Sequence, residues 1–266
     1  MGNLSPKQPR ILVIAGSDPS GGAGIQADLK TAQAFGVYAQ TAITAVTVQN
    51  TLGVTGSHIV PPQIVRDQII ACLSDIGADA IKTGMLGNAE MVEMVAATLA
   101  EHAPGIPLVV DPVMVAKGGS PLLEEAAILA LKKKLLPLAT LVTPNLPEAE
   151  ALTGIYPGSE HRIRNAAMVL KMLGINSALF KGGHGEGDVV RDVLWSGDDF
   201  TPFEAPRIAT QHTHGTGCTL ATAIACGLAQ QRTLPDAVGR AIGFVQNAIR
   251  TAPGLGQGHG PLNHKI

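Results

Sequence analysis

Ile11-Leu12-Val13-Ile14-Ala15, running straight into Gly16-Ser17-Asp18-Pro19-Ser20-Gly21-Gly22-Ala23-Gly24 and then a helical pattern from about Ile25, decides the fold of this chain. A short continuous apolar run bounded by turn residues reads as a strand buried on both faces. The glycine-rich stretch is the loop at its carboxyl end, and Gln26 and Asp28 fall in the first turns of the following helix. Strand, loop and helix in that order form one unit of a parallel sheet.

The unit recurs along the chain. Apolar runs at 42–48, 80–82, 108–110, 140–142 and 178–180 alternate with helical patterns at 64–73, 89–102, 122–136, 148–152, 163–173, 219–230 and 237–251. This alternation predicts a three-layer α/β/α sandwich with a mostly parallel central sheet and ligands at the carboxyl ends of its strands. Residues 189–195 and 200–203, split by Ser196-Gly197-Asp198-Asp199, read as a hairpin and hence an antiparallel edge. No Pro/Ser-rich linker divides the 266 residues, so a single domain over 1–266 is expected, with residues 1–9 disordered. The glycine-rich segment 254–261 reads as a frayed tail, with closure over a ligand as the alternative.

Composition narrows the function. A formal net charge of −2 and a single basic run, Lys132-Lys133-Lys134, argue against a nucleic-acid partner. The apolar run at 11–15 is too short for a signal or a membrane span, and three cysteines without zinc spacing do not make a disulfide framework. A cytoplasmic protein without membrane partners is expected. Cys72 and Cys226 read as core fillers.

The chemistry concentrates in a few loops. His214-Gly215-Thr216-Gly217-Cys218-Thr219 opens a small-residue helix, and unpaired N–H groups plus the helix dipole make such a turn an anion cradle. It holds a thiol. No G-x-x-x-x-G-K-[ST] occurs, and Leu220 stands where a dinucleotide fingerprint needs Gly or Ala, so neither standard nucleotide loop is present. Asp28 is a candidate partner for a substrate hydroxyl or amine, or else a plain helix-start carboxylate. Gln49 offers a carboxamide able to read a ring nitrogen and an exocyclic amine together, or else caps a loop. Met85 and Val113 are candidate pocket walls. Asn145 and Glu148, three apart at a helix start, read as Mg²⁺ ligands or as a reciprocal cap. Lys181, before Gly182-Gly183, fits ATP phosphates in that company.

Together, AGSDPSGGAGIQADLKT (residues 15–31), VQNT (48–51), KTGML (82–86), DPVMVAKGG (111–119), TPNLPEAEAL (143–152), KGGH (181–184) and HGTGCTLA (214–221) resemble the hydroxymethylpyrimidine/phosphomethylpyrimidine kinases of the ribokinase-like superfamily, over nearly the whole chain. The resemblance implies ATP-dependent phosphorylation of 4-amino-5-hydroxymethyl-2-methylpyrimidine and then of its monophosphate, in thiamine biosynthesis. It implies that Gln49 reads the ring, that Gly16, Ala23, Asp28, Met85, Val113 and Cys218 line its pocket, and that Asp111, Asn145 and Glu148 position Mg²⁺ and phosphates. Lys181, Gly182 and Gly183 would lie near ATP, and a homodimer is usual.

In the wider superfamily an Asp base commonly follows Gly-x-Gly; here Cys218 does. Acidified at a helix N-terminus, its thiolate would accept the hydroxymethyl proton, with the N–H groups of Gly215, Thr216, Gly217 and Cys218 stabilising the transferring charge. One departure is Thr47, where the family often carries an aliphatic residue. The alternatives are a pyridoxal kinase of the same branch, which Gln49 argues against, and a non-catalytic sensor. Candidate lids are residues 116–121 and 254–261.

Overall fold

The computed structural model describes residues 8–114, 124–184 and 187–266. Its first unit is as the sequence reads: β1 (Arg10–Ser17), the glycine loop, and α1 (Gly24–Ala34). There follow β2 (Tyr38–Asn50), β3 (Gly53–Ile59), α2 (Pro62–Asp75), β4 (Ala80–Thr83), α3 (Ala89–His102), β5 (Leu108–Val110) and α4 (Glu125–Ala130). Beyond these lie β6 (Leu141–Val142), α5 (Leu146–Thr153), α6 (Glu160–Met172), β7 (Ser177–Phe180), β8 (Val189–Ser196), β9 (Asp199–Pro206), α7 (Thr216–Ala229) and α8 (Leu234–Arg250).

All described strands join one sheet in the order β3-β2-β1-β4-β5-β6-β7-β8-β9. The β2 to β7 stretch of that order is parallel throughout, while β3 and the β8–β9 hairpin run antiparallel at the two ends. Because side chains alternate across a strand, Leu12 and Ile14 enter one core while Ile11, Val13 and Ala15 enter the other. The first core lies under α2 to α6 and the second under α1, α7 and α8. Small residues let α7 lie close: Ala221, Ala223 and Ala225 are fully buried against the sheet.

Three expectations change. Strand β3 was invisible in the sequence, because Gly53, Gly56, Ser57 and His58 carry little strand propensity; pairing with the long β2 holds it. The helix expected over 122–136 is α-helical only as α4, then passes into a π turn (Leu131–Leu135) and a 3-10 turn (Leu136–Leu138) where Pro137 denies a helical N–H. Residues 122 and 123 of that helix, the lid expected at 116–121 and most of the disorder expected at 1–9 lie outside the described residues.

The third change concerns the C-terminus, which is packed and not frayed. His259 N–H donates to Thr51 O (2.8 Å), His214 N–H to Gly260 O (3.1 Å) and Asn263 N–H to Ala248 O (3.1 Å). Cβ atoms at Gly256 or Gly258 would collide with Thr51, so glycine here permits close packing more than it promotes disorder. Among the described residues, no helix is long and apolar enough to cross a membrane.

Candidate active site

A cavity of about 1150 Å³ opens along the carboxyl ends of the parallel strands. Loops after β1, β2, β4, β5, β6 and β7 line it together with the N-terminus of α7, as expected for a sheet of this type. Gly215, the residue before α7, takes φ +82°, and a Cβ there would collide with Gly22 O. The turn therefore needs glycine, and it draws the α7 N-terminus against the β1 loop. The first intrahelical bond is Thr219 N–H to Gly215 O (2.9 Å), and Thr216 N–H is turned toward Thr213 O (3.4 Å). Thr216 N–H is thereby directed elsewhere, while Gly217 and Cys218, ahead of the first intrahelical donor, carry N–H groups of the cradle.

Cys218 lines the cavity, but its expected acidity is not found. Burial pushes the thiol up to about 11, against the opposing pull of Lys82 and a hydrogen bond from Gly24 N–H. Loss of water around the sulfur outweighs the helix terminus, so the free protein holds a thiol and not a thiolate.

Asp28 also departs from expectation. Its side chain is 0 % exposed and does not line the cavity. Both of its oxygens lie 2.9 Å from Lys82 Nζ, and Thr222 Oγ1 donates to Oδ1 at 2.6 Å. Thr222 is one turn after Cys218 on α7, so the two share a helix face and the buried pair lies below the thiol. Asp28 supports the floor of the site and does not contact its contents. Lys82, fully buried on the short strand β4, is the partner that sequence reading missed.

Opposite the cradle stands a cluster of charges. Lys181 Nζ is 3.0 Å from Asp111 Oδ1 and 3.8 Å from Glu148 Oε2, and Thr143 Oγ1 also reaches Asp111 Oδ1 (3.3 Å). Asn145 and Glu148 form the reciprocal cap of α5: Glu148 N–H donates to Asn145 Oδ1 (2.9 Å) and Asn145 N–H to Glu148 Oε2 (2.8 Å). Both readings of that pair are compatible, since the cap holds the two side chains at the cavity wall. Burial pushes Glu148 up to about 7, with Lys181 opposing and Asp111 assisting.

Gly183 and Lys181 line the cavity, whereas Gly182 does not, its N–H donating to Asp192 Oδ1 (2.7 Å) and the place of a Cβ taken by the Arg191 backbone. Arg207 adds a guanidinium at this end and ties the turn together through Gly187 O (2.6 Å) and Gly183 O (3.0 Å). No local motif marked Arg207; the hairpin places it.

The remaining wall holds Gly16, Ala23, Gln49, Met85 and Val113, which the fold brings together from four loops. Gln49 approaches Thr47 Oγ1 and His214 Nε2, each at 3.3 Å. His214 in turn sits 2.8 Å from Asp18 Oδ2. Burial raises the Asp18 carboxyl, but hydrogen bonds from His214, Ser20 and Ala23 outweigh it and hold the group down at about 2. Asp18 and His214 belong to motifs the sequence displayed, yet their pairing, 196 residues apart, was not legible.

The donor set suits a magnesium nucleotide. Two carboxylates and a carboxamide offer hard oxygens, Lys181 offers a cation, and a Cβ at Gly217 would come 3.3 Å from Asp111 Oδ2 and 3.5 Å from Lys181 Nζ, so the cradle and the charges face one space. Among the described residues no three His, Cys, Asp or Glu side chains converge as a metal cage. Magnesium commonly takes only one or two carboxylates and completes its shell with phosphates and water.

Known proteins are similar to this chain in sequence and in fold. The chain is 52% identical to the Geobacter sulfurreducens thiamine biosynthesis bifunctional protein ThiED over 96% of its own length, and it spans only 52% of that relative. It is 49% identical to the Haemophilus influenzae hydroxymethylpyrimidine/phosphomethylpyrimidine kinase, covering 96% of both chains. In structure it is similar to an ADP complex of Bacillus subtilis pyridoxal kinase, with TM-score 0.89 and 36% identity over 97% of this chain and 98% of that one. The phosphomethylpyrimidine kinase profile matches residues 18–263, and the chain belongs to that family.

Proposed function

We propose that this protein transfers the γ-phosphoryl group of ATP to the hydroxymethyl oxygen of 4-amino-5-hydroxymethyl-2-methylpyrimidine, and then a second phosphoryl group to the monophosphate. The observation that carries this reading is one cavity with a carboxamide at one end, an anion cradle in the middle and a Lys–carboxylate cluster at the other. The homology to kinases of that name supports it. A single sheet through the described chain supports reading it as one kinase domain.

In the transfer the alcohol oxygen forms a bond to phosphorus and the bond to ADP breaks. Gln49 orients the ring, and Met85 and Val113 confine it. Cys218 rests as a thiol, so it must first give its own proton to solvent; the thiolate then takes the alcohol proton once substrate and phosphate lie over α7. Gly217 and Cys218 N–H groups meet the charge on the transferring oxygens, which in a loose phosphoryl transition state matters more than the base. Lys181 holds phosphate oxygens, while Asp111, Asn145 and Glu148 would hold Mg²⁺, which would neutralise phosphate charge when bound. Val190, Ile208 and Ile242 offer apolar surface for the adenine.

A second reading, pyridoxal kinase, draws on the Bacillus structure. Gln49 favours the pyrimidine, because an amine and a ring nitrogen match both ends of its amide. The protein acts as a homodimer, a reading supported by Val46, Val48 and Leu52, which stand exposed on and beside β2. The test compares turnover of the aminopyrimidine alcohol and pyridoxal by wild type and Gln49→Leu. The pyrimidine is expected to be preferred and that preference lost in the variant; an unchanged preference would overturn the role of Gln49.

A further inference from the structure

The carboxamide of Gln49 is symmetric in outline and opposite in chemistry at its two ends, so its orientation decides what it recognises. Two neighbours bear on it. Asp18 accepts from Ser20 N–H on Oδ1 (2.9 Å), and from Ser20 Oγ–H (2.9 Å) and Ala23 N–H (2.8 Å) on Oδ2. A carboxyl surrounded by donors is a carboxylate and can only accept. His214 Nε2, 2.8 Å from Oδ2, must therefore carry a proton, whatever the charge of the ring. That one proton points at Asp18, so toward Gln49 the nitrogen has no lone pair for an amide NH₂ and offers only a shared N–H, which suits the amide oxygen. On the other side, the single proton of Thr47 is committed to Ser17 O (2.9 Å), so Thr47 Oγ1 faces Gln49 as an acceptor and calls for the amide NH₂.

As placed, Gln49 presents Oε1 to Thr47 and Nε2 to His214. That sets N–H against N–H at His214 and makes two acceptors compete for one hydroxyl proton. A half turn about the Cγ–Cδ bond keeps the same volume, gives the NH₂ an acceptor at Thr47 and sets the amide oxygen, not an N–H, against the His214 N–H edge. We propose that Asp18, acting through His214, and Thr47 lock the Gln49 amide with its oxygen on the His214 side, and that this lock makes the site select an amine over an oxo group.

The lock rests on the aminopyrimidine reading and extends it to ring orientation. The amine of the ring donates to Oε1 beside His214, and the ring nitrogen accepts from Nε2 beside Thr47. The hydroxymethyl group, next to the amine on the far side from that nitrogen, then lies beyond His214, in the direction of Cys218 four residues on. A 4-oxo analogue reverses both partners, presenting a carbonyl to Oε1 and an N–H to Nε2. Asp18, His214 and Thr47 are thus positioning residues for specificity. A buried polar site rejects such a mismatch strongly.

Two measurements test this. In ¹⁵N spectra of ring-labelled protein, with His214 assigned by its loss in His214→Gln, Nε2 is expected to be protonated in wild type. A bare Nε2 would overturn the lock without any substrate being used. In steady-state kinetics, wild type is expected to favour the aminopyrimidine over its 4-oxo analogue by roughly a hundredfold or more. Asp18→Asn and Thr47→Val should each narrow that ratio roughly tenfold, and Thr47→Ser should keep it. An unchanged ratio in both narrowing variants, each still folded and binding ATP, would overturn the proposal. Should wild type phosphorylate neither pyrimidine, the proposed function falls, and the spectrum alone decides the lock; should Asp18→Asn not fold, Thr47→Val and the spectrum decide it.

Discussion

Lys82 and Asp28 form an ion pair 2.9 Å long with no solvent exposure on either side chain, between β4 and α1 and beneath the first turns of α7. Burial lowers the affinity of Lys82 for its proton, and the charge of Asp28 more than restores it, so the lysine stays charged. Removing one partner leaves the other buried and unpaired. Lys82→Met is therefore expected to destabilise the protein by about 3–5 kcal/mol, measured by urea unfolding. Lys82→Met with Asp28→Leu should recover much of the loss. Equal stability of the single variant and wild type would contradict the pairing.

The turn before α7 gives a second prediction. Gly215 has φ +82° and lies against Gly22 O, so Gly215→Ala should displace the cradle from the β1 loop. Turnover should fall by about two orders of magnitude, the scale of losing an oxyanion-type donor. ADP affinity, measured by calorimetry, should fall with it. An active alanine variant would show that the cradle does not depend on this contact.

The free protein should hold Cys218 as a thiol. Alkylation of Cys218 by iodoacetamide, followed by peptide mass, is expected to accelerate only above about pH 9 and toward the value of about 11 that burial imposes. A midpoint near 7 would restore the acidified thiolate. Cys218→Ser should slow turnover by about tenfold to a hundredfold while leaving ATP affinity within about twofold. Unchanged turnover would remove the base role.

Acid should loosen the C-terminal segment. His264 Nε2 meets Thr219 Oγ1 at 2.8 Å, and burial lowers the imidazole to about 4. The unfolded chain takes up this proton near pH 6.5, while the folded protein resists until about 4. Stability contributed here is present above pH 6.5, declines as pH falls toward 4 and is lost below it, by about 3 kcal/mol at most. His264→Gln should flatten that part of the stability–pH curve. An unaltered slope would place the acid sensitivity elsewhere.

The strands of the parallel sheet were readable because runs such as 11–15 and 108–110 are apolar on both faces, and the hairpin because Ser196-Gly197-Asp198-Asp199 breaks it cleanly. Strand β3 was not, since its residues are held by pairing with β2 and not by their own preference. In the site, motifs gave the residues but not their partners. Asp28 stood in the first turns of the helix after a ligand loop in the sequence, yet only the register of β4 reveals that Lys82 points at it. Cys218 was read from its helix terminus, a local feature, whereas its acidity is set by burial, which the whole fold determines. The glycines of the C-terminus signal close approach as readily as disorder, and Thr51 decides between them.

Mass analysis of the products formed from Mg-ATP and 4-amino-5-hydroxymethyl-2-methylpyrimidine, with the monophosphate and pyridoxal offered in parallel, tests the central claim most directly. The account predicts a monophosphate that converts to a diphosphate, with pyridoxal a poor substrate. Preferential phosphorylation of pyridoxal, or ATP left intact with both pyrimidines, would contradict it.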